Sequence, residues 1–301
     1  MRNSGILLLK KEKDISSNAI INKVKWTLNN NGFKVEKIGH CGTLDPNATG
    51  LLVVLINQAT KLSDFLLLED KTYIANILLG KSYDTYDVCG KLEEEKLLNE
   101  KDLEYVNNNI DDVLKSFLGT SMQIPPIYSS IKMNGRKLYE MARNNEEIDI
   151  EAKQREINIY DIKILSKPIL NEDNTITFDI KCHVSKGTYI RSLAFDIGKK
   201  LNMPSCIKEL ERCNSGCFDI EDAYTLEDIK IGNYHLINML ECIKNMPIIN
   251  ADNEMYNDII NGRKIKINSN EKIVAIAYEN ELAAIYEHDT KDIFKAKRVW
   301  K

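Results

Sequence analysis

The sequence predicts an α+β fold, in which a sheet containing antiparallel strands is flanked by helices and followed by a small β-rich C-terminal domain. Three observations predict it. Apolar residues alternate in "ITFDIKCHV", where Ile176, Phe178, Ile180, Cys182 and Val184 share one face. They recur instead at helical intervals in "SSNAIINKVKWTLN" and "GTYIRSLAFDIGKKLNMP". Beyond Met246 the chain changes texture to short β-like runs between polar turns, "EKIVAIAY", "ELAAIYEH" and "FKAKRVW".

In order along the chain, Ser16 and Ser17 are cap candidates for a first helix with Ile20, Ile21, Val24 and Leu28 on its buried stripe. A Gly-containing loop follows. After Gly50, "LLVVLI" lacks alternation and is bounded by turn residues, as expected of a short strand buried on both faces. "KTYIANILLG" is a second strand, with Tyr73, Ala75, Ile77 and Leu79 on one side. The Asn-rich stretch from Leu97 to Leu118 reads as helical, and Pro125 and Pro126 break it. A short helix, "RKLYEMARN", precedes an alternating strand between Glu156 and Leu165. The helix in "GTYIRSLAFDIGKKLNMP" places Ile190, Leu193, Ala194, Ile197 and Leu201 toward the core, with Pro204 beyond its end.

A chain of 301 residues with 43% hydrophobic content accommodates a large domain, 1–245, and a small companion, 246–301, of about the minimum size that folds alone. No apolar run reaches bilayer length, and "MRNSGILLLKKEKD" turns charged too early for a signal peptide, so a cytoplasmic protein is expected. Seven cysteines, scattered and without CxxC pairing, suggest neither a disulfide framework nor a zinc site. Cys213 and Cys217 lack nearby histidines, and no metal is expected. The net charge of −4 does not advertise nucleic-acid binding, but local basic clusters stand near the N-terminus and around residues 136 and 264.

Chemistry concentrates in "KIGHCGTLDPNATGLLVVLI", Lys37 to Ile56. Gly42 lets the loop turn, and Pro46 restricts Asp45 to extended conformations, so its carboxylate is presented from a rigid point. An Asp before Pro also serves as a turn-former or helix cap. A carboxylate in a partly closed site needs a partner that keeps it ionised, and Arg, always protonated and able to bind carboxylate in two-pronged fashion, is the natural one. Arg191 stands at the start of an amphipathic helix beside its core face, either as that partner or as a surface cation beside the stripe. Asp84 and Asp87 in "KSYDTYDVCG" read first as an exposed turn.

These segments resemble a known family. "GHCGTLDPNATGLLVV" is similar to the signature loop of the TruB-type pseudouridine synthases, the bacterial enzymes that act at position 55 of tRNA. "KTYIANILLG", "FLGTSMQIPPIYSSIKMNGRKLYEMAR", "VSKGTYIRSLAFDIG" and "LERCNSGCF" resemble four further family motifs, in the family's order. Departures stand at Glu12, where proline is usual, Asp14, where glycine is usual, and Ala19, where an acidic residue is common.

The resemblance implies the pseudouridine synthase fold, with a mixed, largely antiparallel central sheet, an RNA-binding insertion around 124–150 and a PUA-like tail. It implies Asp45 as nucleophile, Arg191 as its ionic partner, Tyr73 stacked on the flipped uracil as acceptor or relay for the C5 proton, Leu210 packed on the base, and His40 filling space in the RNA loop. Lys11, Lys132, Arg136, Lys137 and Arg143, with Lys264 and Lys266, are candidate phosphate contacts. An isomerisation requires no cofactor. The expected partner is the tRNA T-arm, with no membrane and no protein partner, the protein acting as a monomer. Competing readings are a guide-RNA-dependent synthase, an RNA-binding module with Asp45 idle, and a glycosidase pairing Asp45 with Asp84.

Overall fold

A computed structural model describes residues 3–129, 131–133, 135–144, 146, 148–243 and 245–300. Its main sheet has ten strands, eight of which carry the fold: β1 (Gly5–Lys11), β2 (Ile38–Cys41), β3 (Thr49–Ile56), β4 (Lys71–Leu79), β5 (Gly119–Gln123), β6 (Arg155–Ile164), β7 (Ile176–Val184) and β8 (Ser205–Ser215). The spatial order is β1-β3-β8-β4-β7-β6-β5, with β2 also paired to β3. Only β8 and β3 run parallel within this set, through Glu211 opposite Thr49 and Arg212 opposite Gly50. The sheet is therefore mixed and largely antiparallel.

Why β3 lacks alternation is visible in what covers it. Leu52, Val54 and Ile56 pack with Ile20, Val24 and Leu28 of α1 (Ser17–Asn30). Leu51, Val53 and Leu55 pack on the other side with Ala275, Leu282, Ile285 and Trp300 from the C-terminal region. Both faces are dry, so both are apolar. The other half of the sheet is covered by α2 (Glu100–Lys115), through Val106, Ile110 and Leu114, and by α4 (Ile190–Leu201), which bury Ala75, Ile77, Phe178 and Ile180. A short helix, α3 (Leu138–Arg143), lies in the segment after the Pro-Pro break.

Four of the eight strands, β1, β2, β5 and β8, escaped the sequence reading, the first and last of them for physical reasons. β1 is buried on both faces, and its apolar run is too short to distinguish a strand from the start of a helix. β8 contains register shifts between Ile207 and Glu209 and between Arg212 and Asn214, so its pattern of alternation is broken twice. Ser16 caps α1, accepting from the Ala19 N–H at 3.1 Å, whereas Ser17 is buried and bonds elsewhere.

The C-terminal region forms a separate five-stranded sheet in the order Ile248–Asn250, Ile273–Tyr278, Glu281–Thr290, Ile293–Val299 and Ile265–Lys266. One side has its own core of Val274, Ile276, Ala284, Tyr286 and Phe294. The other docks on the main sheet, where the Trp300 indole N–H donates to the Gln58 carbonyl at 3.0 Å. Among the described residues no helix is long and apolar enough to cross a membrane.

Candidate active site

The loop between β2 and β3 carries Asp45, and the chain fixes it from four directions. Ser17 Oγ donates to the Leu44 carbonyl and accepts from the Leu44 N–H, both at 2.9 Å. Lys11 Nζ donates to the carbonyls of Pro46 at 3.1 Å and Ala48 at 2.6 Å. The Asp14 N–H donates to Pro46 O at 2.9 Å. Arg212, buried in β8, donates through Nε to Leu51 O at 2.8 Å and through Nη2 to Gly42 O at 3.1 Å. Gly50, at φ 104°, is required because a Cβ there would lie 2.4 Å from the Arg212 carbonyl oxygen.

Held this way, the Asp45 carboxylate meets Arg191 Nε at 2.9 Å. The Arg191 side chain is only 7% exposed, against 40% for Asp45, so the pair has a dry cation behind a reachable anion. Arg191 is itself anchored: Nη1 donates to Thr85 O at 2.8 Å, Nη2 donates to Tyr128 O at 3.0 Å, and the Asp87 carboxylate lies 3.8 Å from Nη1. Asp87 corrects the reading of residues 84–87 as an exposed turn, since it is buried and accepts from Thr85 Oγ1 at 2.9 Å and Cys89 N–H at 3.0 Å. Asp84 stays in the turn, accepting from the Lys91 N–H at 2.7 Å.

Tyr73 on β4 and Leu210 on β8 are near neighbours: Ala75 faces Leu210 and Tyr73 faces Arg212 in the ladder. Both pack against the cluster that contains Leu44 and Ala48, which bracket Asp45 in its loop. His40 lies on β2 opposite Val54, half-buried, with Nδ1 buried and unbonded. Burial, with Arg212 adding to it, pushes its pKa down, so the imidazole is neutral at pH 7. Burial pushes the neighbouring Cys41 thiol up to about 12, which removes it as a nucleophile. The reachable carboxylate of this loop is that of Asp45.

A family model described as TruB family pseudouridylate synthase (N terminal domain) matches residues 30–190, more than half of the chain. The chain belongs to the TruB family. Among its relatives, the tRNA pseudouridine synthase B of Staphylococcus saprophyticus is 40% identical over 312 residues, covering 99% of both chains. That of Mycoplasma capricolum is 40% identical over 303 residues, covering 99% of this chain and 97% of the relative. The fold is also similar to a chain of an H/ACA RNP bound to a substrate RNA containing 2'-deoxyuridine, with a TM-score of 0.66, 21% identity, and coverage of 99% of this chain and 85% of that one.

Within the TruB fold, the departure at Asp14 has a physical explanation: its φ is 64°, the left-handed region where glycine is strain-free and Asp is among the tolerated exceptions. Lys11 requires a correction. It is buried, with its ammonium group on three carbonyls, including Glu12 O at 2.9 Å, and therefore holds the loop that carries Asp45 instead of touching phosphate. Lys132, Arg136, Lys137 and Arg143 do gather, on a hairpin (Lys132–Met133 with Arg136–Lys137) and on α3. There Lys137 and Arg143 both lie 5.4 Å from the Tyr139 ring centroid, and Arg136 forms a two-pronged bond with Glu146 at 2.9 and 2.6 Å. Lys264 and Lys266 are paired with Asp289 at 2.7 Å and Asp292 at 2.8 Å. Arg212 was not singled out from sequence, although it lay inside the quoted "LERCNSGCF", whereas Ser17 was read as a helix cap and Asp87 as a turn residue, neither as part of this site.

Lys11 supplies a first prediction. Burial pushes its amine down to about 8 from the ordinary 10.5. Between those values the unfolded chain holds the proton and the folded chain releases it, so this group's contribution to stability rises with pH. The stability of the protein relative to Lys11→Met should increase from pH 7.5 to 9.5 in thermal unfolding. A difference that shrinks with pH would contradict this.

Proposed function

We propose that the protein isomerises uridine to pseudouridine in tRNA, at the T-loop uridine of position 55, with Asp45 as the reacting carboxylate. The observation that supports this most is the Asp45–Arg191 pair, a reachable anion held at 2.9 Å by a buried, fully anchored cation. The N1–C1′ bond of the uridine breaks, the uracil turns, a C5–C1′ bond forms, and the C5 proton is lost while N1 takes up one, so that substrate and product have the same composition. Asp45 assists departure of the base at C1′, by covalent participation or by stabilising positive charge there, which divides a hard step into easier ones. Arg191 keeps Asp45 ionised and aimed.

Because the base must leave its stack, at a cost of about a few kcal/mol, the site needs a surface to receive it. Tyr73 and Leu210 provide one, half-buried at the junction of two cores. We assign stacking and C5-proton relay to Tyr73, base packing to Leu210, and loop filling to neutral His40. Division into a synthase domain, 1–245, and a PUA-like domain, 246–301, belongs to the same proposal, as does action by a cytoplasmic monomer without a guide RNA.

Unmodified tRNA incubated with the protein alone, followed by carbodiimide-dependent primer extension, should show one new stop at the T-loop uridine. No product without added guide or protein would overturn the reading. Of the proposed phosphate contacts, Lys132, Lys137 and Arg143 have no carboxylate partner among the described residues, whereas Arg136, Lys264 and Lys266 do. Replacing Lys137 by Gln should therefore lower the slope of log affinity against log salt by about 0.7 to 0.9, and replacing Lys264 by Gln should change it by much less. Equal changes would sink this partition.

A further inference from the structure

Arg191 and Phe195 stand four residues apart on α4 and so lie on one face of that helix. Both grip the same segment of the 84–90 loop. Arg191 takes the Thr85 carbonyl and lies near the Asp87 carboxylate. Between those two residues is Tyr86, whose ring stacks on Phe195 with centroids 4.2 Å apart and planes 10° from parallel. Lys199, one further turn along, holds its ammonium 4.5 Å from the Phe195 centroid.

The backbone at Tyr86 is unusual for an aromatic residue, with φ at 60° in the left-handed region. Its N–H donates to Tyr83 O at 2.9 Å, and its carbonyl accepts from the Ile207 N–H at 3.0 Å. Ile207 O then accepts from the Val88 N–H at 3.1 Å, so the loop is clamped to β8 on both sides of Asp87. This conformation turns the Thr85 carbonyl and the Asp87 carboxylate toward the same guanidinium. Glycine would adopt it without strain, yet the chain places a large ring there and gives the ring a partner on the helix that carries Arg191.

We propose that Tyr86 is a positioning residue for the isomerisation: its ring, stacked on Phe195, locks the 85–87 segment to α4 and thereby fixes the Arg191 guanidinium against Asp45. The proposal rests on Asp45 as the reacting carboxylate. The contacts of Tyr86 run to Tyr83, Ile207 and Phe195, so its effect is expected on the rate of reaction and not on RNA affinity. Small displacements of a reacting group are enough to lower a rate substantially.

The test uses the full-length protein and an unmodified T-arm stem-loop. Tyr86→Leu and Tyr86→Gly should each lower kcat about tenfold with KM within about twofold of the parent, while Tyr86→Phe keeps the parent rate. Phe195→Leu should show the same loss, and the Tyr86→Leu, Phe195→Leu double variant no more than either alone. Glycine distinguishes the ring from the backbone, since it relieves the left-handed strain and should fold at least as readily as leucine. A glycine variant with parental kcat, a failure of phenylalanine to rescue, additive losses, or a loss confined to KM would each overturn the proposal. Asp45→Asn, assayed beside them, separates the two failures: if that variant retains activity, the assignment of the reacting carboxylate falls, whatever Tyr86 does.

Discussion

Asp45→Asn should lower product formation by at least about a thousandfold while leaving RNA affinity within about twofold. Asn matches Asp in size and is as compatible with a following proline, so the loop held by Ser17, Lys11 and Arg212 stays where it is. What disappears is the negative charge. An amide is neither a nucleophile nor able to balance positive charge at C1′. Stability should change little, because the carboxylate is 40% exposed and Arg191 keeps Thr85 O, Tyr128 O and Asp87 as partners. A shift below about 1 kcal/mol is expected for so exposed a partner. The measurements are single-turnover product formation, filter binding of a T-arm stem-loop, and thermal unfolding of both proteins. A rate within tenfold of the parent would remove Asp45 from the chemistry.

How much of this was legible in the sequence depends on the kind of physical signal. Where one face of an element is buried and the other wet, period alone sufficed, as in β7 and α4. β3 was legible for the opposite reason, since a run buried on both faces has no period at all. β8 was illegible because two register shifts scramble its alternation, and with it went Arg212, a buried cation whose partners are carbonyls contributed by a distant loop. Lys11 was misassigned for a related reason. A lysine beside other lysines reads as surface, and nothing local announces that its ammonium reaches Pro46 and Ala48. Asp45, Tyr73, Arg191 and Leu210 were singled out through ordered motifs, whereas Asp87 looked like one of two turn carboxylates. Only the folded loop separates it from Asp84, burying one and leaving the other on a backbone N–H.

Arg191→Met should do two separable things. With the cation gone, Asp45 loses its 2.9 Å partner and turnover should fall by about a hundredfold or more. Asp87, buried and only 12% exposed at its side chain, loses the charge beside it, and the carbonyls of Thr85 and Tyr128 lose their donors. Breaking a buried pair from one side is destabilising by about 3 kcal/mol, because the remaining charge has no compensation. The second effect should be repairable without the first. Asp87→Asn in the Arg191→Met background removes the stranded charge, so the unfolding midpoint should recover part of its loss while turnover stays low. Arg191→Lys sharpens the distinction further. Lysine restores a positive charge near Asp87, but its donors leave a single nitrogen and cannot reach Asp45, Thr85 O and Tyr128 O, which the guanidinium meets from three separate nitrogens. Stability should therefore return further than activity. If lysine restored both alike, charge alone would explain Arg191, and the three-way anchoring seen in the fold would be incidental to the reaction.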